Sequence, residues 1–178
     1  PNMIFLILLL IALIAVLWAV KASNNIKRME IKVDEAFSGI EVALTKRYDM
    51  LTKMLDVCRG FMKHESELFS KVISLRQGMS LGEMGKADRE MGELTGRLFA
   101  VAENYPEMRS AHVFAELQQG IRDAEEHLQA ARRLYNASVS SYNAAIAVFP
   151  DSLLARGRSP REFFEAEESR REDVKVQF

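Results

Sequence analysis

The chain has 178 residues, with 24 basic side chains against 25 acidic ones, three histidines and one cysteine. A net charge of −1 supplies no field that would gather nucleic acid or an acidic substrate, and Cys58 alone excludes an intramolecular disulfide. The hydrophobic share is 48 %, and much of it lies in one run near the N-terminus.

That run, Met3 to Val20, is uncharged and apolar throughout and meets Lys21 directly. As a helix it rises about 27 Å, close to the roughly 30 Å of a bilayer's hydrocarbon core. A membrane anchor is expected, with Met3 and Leu10 in the span, Trp18 at the interface, and Val20 and Lys21 at its end. A cleaved signal peptide would have a shorter apolar stretch and a small-x-small cleavage site, which the residues after Ala22 do not supply. Lys21, Lys27, Arg28 and Lys32, opposed only by Glu30, place the following domain on the cytoplasmic side. Residues ahead of Pro1 carrying more charge would reverse this, and a periplasmic domain is the alternative.

From Ile26 to Leu75 apolar residues recur in steps of three and four, through Val33, Phe37, Ile40, Leu44, Leu51, Met54, Cys58, Phe61, Leu68 and Val72. The spacing predicts a long amphipathic helix with a seam near the 3.5-residue repeat, bent near Gly39 or Gly60. Cys58 on this stripe reads as buried filler. Arg47 and Glu65 interrupt the apolar phase, so each must reach water or be paired. For Arg47, either it lies on the rim or it pairs with an acid on another helix, Glu125 being the candidate.

Gln77 to Gly85, with three glycines, reads as a loop. Met84, Ala87, Met91, Leu94, Leu98, Val101 and Tyr105 predict a second helix stopping at Pro106. Ser110 is a candidate cap for a third, with a stripe at Phe114, Leu117, Ile121, Ala124, Leu128, Ala131, Tyr135, Tyr142 and Phe149 before Pro150. Tyr135-Asn136 and Tyr142-Asn143 recur one heptad apart, which suggests a hydrogen-bonded polar layer rather than catalytic groups. Ser159, Pro160 and Glu162 form a capping-box pattern opening a short fourth helix with Phe163 and Phe164. The end, Val174 to Phe178, alternates apolar and polar and can dock as a strand or fray.

Catalytic patterns fail on inspection. His64-Glu65 opens like a zinc-protease motif, but Leu68 stands where the second histidine belongs. The residues three before His64, His112 and His127 are Phe61, Arg109 and Ala124, so the Glu-x-x-His of di-iron bundles is missing. With no phosphate loop and no nucleophile elbow either, neither an enzyme nor a bound cofactor or metal is expected.

Several stretches together are specific: Val33-Asp34-Glu35-Ala36-Phe37, Lys46-Arg47-Tyr48-Asp49, Gly60-Phe61-Met62-Lys63-His64-Glu65, Glu103-Asn104-Tyr105-Pro106, Ala131 to Asn136, Tyr142-Asn143, Phe149-Pro150 and Val176-x-Phe178. With the N-terminal span, the chain resembles the LemA family of bacterial membrane-anchored proteins. It departs at Thr52-Lys53, where that family has proline and asparagine, and in its glycine-rich 78–85 loop. The resemblance implies a helical bundle on the bacterial cytoplasmic membrane with no defined activity, in a family often encoded near membrane metalloproteases and with members tied to membrane organelles.

The expected fold is all-α: a transmembrane helix over 1–20, then an antiparallel four-helix-type bundle over 21–178, with helices near 26–76, 84–105, 110–149 and 160–172. The expected function is a non-enzymatic scaffold or adaptor of the bacterial inner membrane. The alternative is an accessory subunit of a membrane metalloprotease or of organelle assembly. Expected partners are the lipid bilayer, other envelope proteins and a second copy of the chain, but no nucleic acid. Ile31, Val42, Met50, Val57 and Ile73, apolar residues off the main seam, are the expected oligomer contacts.

Overall fold

The computed structural model describes residues 2–70, 73 and 75–164. The architecture is all-α, with 81 % of the described residues helical and no strand among them. The helices are α1 (Asn2–Arg59), α2 (Ser66–Ser70), α3 (Leu81–Ala102), α4 (Pro106–Ser110) and α5 (His112–Ala147), followed by a 3-10 turn at Asp151–Leu154. The chain divides into two compact units, one of residues 1–37 and 134–163, the other of residues 38–133 and 164–178.

The second unit is built on helical segments of equal length. The parts of α1 and α5 that fall in it, 38–59 and 112–133, each comprise 22 residues, as α3 does, or about 33 Å of helix. Arg47 reaches Glu125, Lys46 reaches His127 and Met50 lies at Gly120, so α1 and α5 run antiparallel. Asp88 meets Arg132 and Phe99 packs edge-on against Phe114, so α3 and α5 do too. It follows that α3 runs parallel to α1, and residues 60–80 carry the chain back to α3's start.

The reversal explains where the long first helix ends. Rather than bending and continuing to about 76, α1 stops at Arg59, and the amides of Gly60, Phe61 and Met62 bond back to Val57 and Cys58. The apolar phase slips by one residue there: Phe61 is exposed, and Met62 takes its place in the core. α3 begins earlier than the glycines of 77–85 suggest, because Ser80 caps it. Ser80 Oγ accepts from the Glu83 amide at 3.3 Å while Glu83 accepts from the Ser80 amide at 2.8 Å. The Ser80 backbone N–H, with Arg76 and the Ser80 hydroxyl, holds the Glu83 carboxyl below its ordinary range. Pro106 opens α4 instead of closing the second helix alone, and Ser110 ends α4, its hydroxyl donating to the Glu107 carbonyl, rather than capping α5.

In the first unit α1 passes without interruption from the apolar run into a packed stripe at Ala22, Ile26, Val33 and Ala36. α5 ends at Ala147, two residues before the expected 149. The expected helix from 160 is absent over the described residues 160–164; its remainder to 172, and the expected strand at 174–178, lie outside the described residues. Residues 161–162 are claimed by α5 instead. Asn143 donates to the Arg161 carbonyl at 3.0 Å and accepts from its amide at 2.8 Å, and Tyr135 donates to the Glu162 carbonyl at 2.9 Å. Backbone groups that a helix would pair internally are thereby satisfied from outside.

Candidate functional site

The second unit holds an ion network at the centre of its helices. Arg47 of α1 interrupts an otherwise apolar seam, with Leu44 and Leu51 buried on either side, and is itself only 7 % exposed. Its Nη1 donates to Asp88 of α3, to both the carboxylate and the main-chain carbonyl, the latter at 3.2 Å. Its Nη2 donates to Glu125 Oε1 of α5 at 2.8 Å, and its buried Nε has no hydrogen-bond partner among the described residues. Arg132, about two helical turns beyond Glu125, donates to the other Asp88 oxygen at 3.1 Å and stacks its guanidinium 4.6 Å over the Phe164 ring.

Two guanidiniums and two carboxylates thus compensate one another among three helices. Both Asp88 oxygens are engaged by arginines, which leaves that carboxylate poorly suited to act as a base. Glu125 is the member open to solvent, its side chain 39 % exposed. It borders a groove of about 980 Å³ whose rim includes Arg89, Arg122, Glu126, His127 and Arg133. The rim is of mixed sign, Arg89, Arg122 and Arg133 standing among Glu93, Glu125 and Glu126. No cluster of three His, Cys, Asp or Glu side chains suited to a metal occurs among the described residues.

Asp88 had no part in the expectations drawn from sequence, and Arg132 figured there only within the stretch Ala131 to Asn136. Asp88 sits beside the Ala87 stripe position and Arg132 beside Ala131, so the signal is a charge flanking the seam on each facing helix. Of the expected polar layer, Arg47 and Glu125 meet here. Tyr135, Tyr142, Asn136 and Asn143 belong to the first unit. There Tyr135 packs on Phe37 with ring centroids 6.2 Å apart, and burial pushes its hydroxyl's pKa up. Tyr142 is buried, while Asn136 and Asn143 are half-buried. Arg161 extends this set toward α1, lying 3.3 Å from Asp34 and 3.7 Å from Glu30. The Lys27 ammonium, bonded at 2.9 Å, lowers the Glu30 pKa.

The anchor residues Met3, Leu10 and Val20 are exposed, as are the other large side chains of the apolar run. This helix is long and apolar enough to cross a membrane and fits a membrane protein. Trp18, at 37 %, is the least exposed large side chain of the run. Of the expected oligomer contacts, Ile31 and Val42 are exposed, and Met50 and Val57 are half-buried. Ile73 is 5 % exposed: the chain's turn after Gly60 folds it inward, so it offers no surface to a second copy.

Comparison with known proteins supplies the family. The family model of the LemA family matches residues 36–178. Protein LemA of Metamycoplasma hominis is 26 % identical over 159 residues, covering 85 % of this chain and 73 % of that protein. Magnetosome protein MamQ of Magnetospirillum gryphiswaldense is 36 % identical over 69 residues, covering 39 % of this chain and 25 % of its own length. Magnetosome protein MamQ 1 of Paramagnetospirillum magneticum is 33 % identical over 84 residues, 44 % of this chain and 31 % of that one. The chain therefore spans about a quarter to a third of the MamQ proteins it matches.

Proposed function

The chain belongs to the LemA family, and from that premise we propose that it is a membrane-tethered, non-enzymatic scaffold that self-assembles and presents its bundle to other envelope proteins. The observation that carries this reading is the continuity of α1, which runs from an exposed apolar stretch into the buried stripe at Ala22, Ile26, Val33 and Ala36. A helix of that kind ties the unit packed on it to a bilayer. The exposed basic residues Lys21, Lys27, Arg28 and Lys32 beyond the span favour a cytoplasmic bundle. Exposed Ile31 and Val42 are the contacts for a second copy, and confinement to a plane raises their effective concentration.

A second reading, a component of organelle assembly, is favoured by the similarity to the magnetosome proteins. Purification of the tagged full chain from native membranes in mild detergent, followed by mass measurement, tests both. A homogeneous assembly of the chain with itself supports the scaffold. A stoichiometric membrane metalloprotease makes the protein an accessory subunit instead, and a bare monomer removes self-assembly.

A further inference from the structure

Phe149 occupies a stripe position of α5 in the sequence, yet in the structure it is 73 % exposed. The helix has ended at Ala147, and the turn that follows presents Val148 and Leu153 to solvent as well, at 60 % and 62 %. Three large apolar side chains within six residues are thus left uncovered by the described residues.

Their position identifies the occupant. Within the first unit, Phe37 of α1 packs against Tyr135 of α5, the rings tilted at 59°. Sixteen residues back along α1 is Lys21, and sixteen residues forward from Tyr135 is Asp151. The antiparallel geometry brings these two to the same level, and Asp151 does share with Trp18, Lys21, Asn25 and Arg28 a recess of about 620 Å³. Trp18 and Lys21 mark where the apolar stretch ends, so the turn stands at the height of the bilayer interface. There an apolar side chain exposed to water elsewhere would meet acyl chains, and Lys21 and Arg28 beside it complement anionic headgroups.

We propose that the 148–153 turn is a second membrane contact: Val148, Phe149 and Leu153 insert into the leaflet from which α1 emerges. The proposal rests on the reading of α1 as a membrane anchor. The turn extends the apolar surface of the anchor onto the first unit, and fixes which flank of that unit lies against the lipid.

The test uses the full chain in vesicles of phosphatidylcholine and phosphatidylglycerol, with a nitroxide attached at Leu153→Cys or Val148→Cys. Both positions are exposed, so neither change disturbs packing, and the labelled parent chain accounts for any signal from Cys58. Collision with oxygen, which concentrates in lipid, is compared with collision with a neutral nickel chelate confined to water. Labels at Leu10→Cys and Asn104→Cys, the latter exposed and outside the proposed contacts, mark the two extremes. Oxygen-dominated relaxation at 153 and 148, shifted from the Asn104 value toward that of Leu10, is the expected result. Nickel-dominated relaxation there with a lipid-like Leu10 overturns the turn's insertion alone; a water-like Leu10 overturns the anchor and the insertion together. Shielding from both reagents with dipolar broadening assigns the turn to a second copy and likewise overturns the proposal.

Discussion

Asp88 is shared by two arginines: Arg132 donates to one carboxylate oxygen at 3.1 Å and Arg47 takes the other. The side chains of all three are about nine-tenths buried, so the acid is the hub of the network. Asp88→Ala leaves two buried guanidiniums without their shared counter-ion and should lower stability by about 3–5 kcal/mol. Arg47→Ala leaves Asp88 still held by Arg132, so a cost near the lower end of that range, about 3 kcal/mol, is expected. Glu125, more than a third exposed, should lose only about 1 kcal/mol on replacement by alanine. Thermal melts of the three variants give the order, and equal shifts for Asp88→Ala and Glu125→Ala would refute the hub.

Asn143 holds the Arg161 backbone on both its donor and its acceptor side. Asn143→Ala should cost about 1–2 kcal/mol and, more specifically, accelerate hydrogen exchange at the Arg161 amide. Unchanged protection at that amide would show that Tyr135 and the ion pairs of Arg161 hold the segment unaided.

Burial pushes the Cys58 thiol up to about 11 from an ordinary 9.0. The folded state binds this proton more tightly than the unfolded chain, so the contribution to stability is fully present below pH 9. It is lost as pH rises from about 9 toward about 11. The native protein should therefore resist maleimide at pH 7.5 and react on unfolding. The melting temperature of Cys58→Ala should also fall less steeply than that of the parent chain between pH 9 and 11. Rapid alkylation of the native thiol would contradict the burial.

Two helical glycines should behave differently. A Cβ at Gly96 meets nothing within 4 Å among the described residues, whereas at Gly120 it would lie 2.9 Å from Met50 Sδ. Gly96→Ala gains helix propensity with no clash and should stabilise by about 1 kcal/mol. At Gly120 the same gain is opposed by displacement of Met50, so the net shift should be small, and it should recover when Met50→Ala is added. A large stabilisation by Gly120→Ala alone would mean that Met50 moves freely.

Much of the fold was legible because its periodicity is strong. Met84, Ala87, Met91, Leu94 and Leu98 on α3, and Ile121, Ala124, Leu128 and Tyr135 on α5, are buried as their three-and-four spacing predicts. What periodicity cannot carry is direction. Nothing in the stripe around Cys58 states that the chain reverses at Gly60, because Phe61, Leu68, Val72 and Leu75 carry a helical spacing on in the sequence, whereas the side chains that return to the core are Met62, Leu68 and Ile73. The same limit hid Asp88: one seam shows where Arg47 needs a partner, but its partner depends on whether α3 runs up or down beside it. At the other end, Ser159-Pro160-Glu162 carries the right residues for a cap, and longer-range bonds from Tyr135 and Asn143 override that local preference.

The unbroken passage of α1 from Val20 to Ala22 leaves no joint there. For a protein held in a bilayer by this helix, the lean of the anchor is inherited by the Ala22–Phe37 stripe and the α5 segment packed on it. Thickening or thinning of the membrane, which a single span accommodates by tilting, would accordingly swing that part of the domain like a lever, whereas a glycine-rich swivel at the same place would absorb the motion.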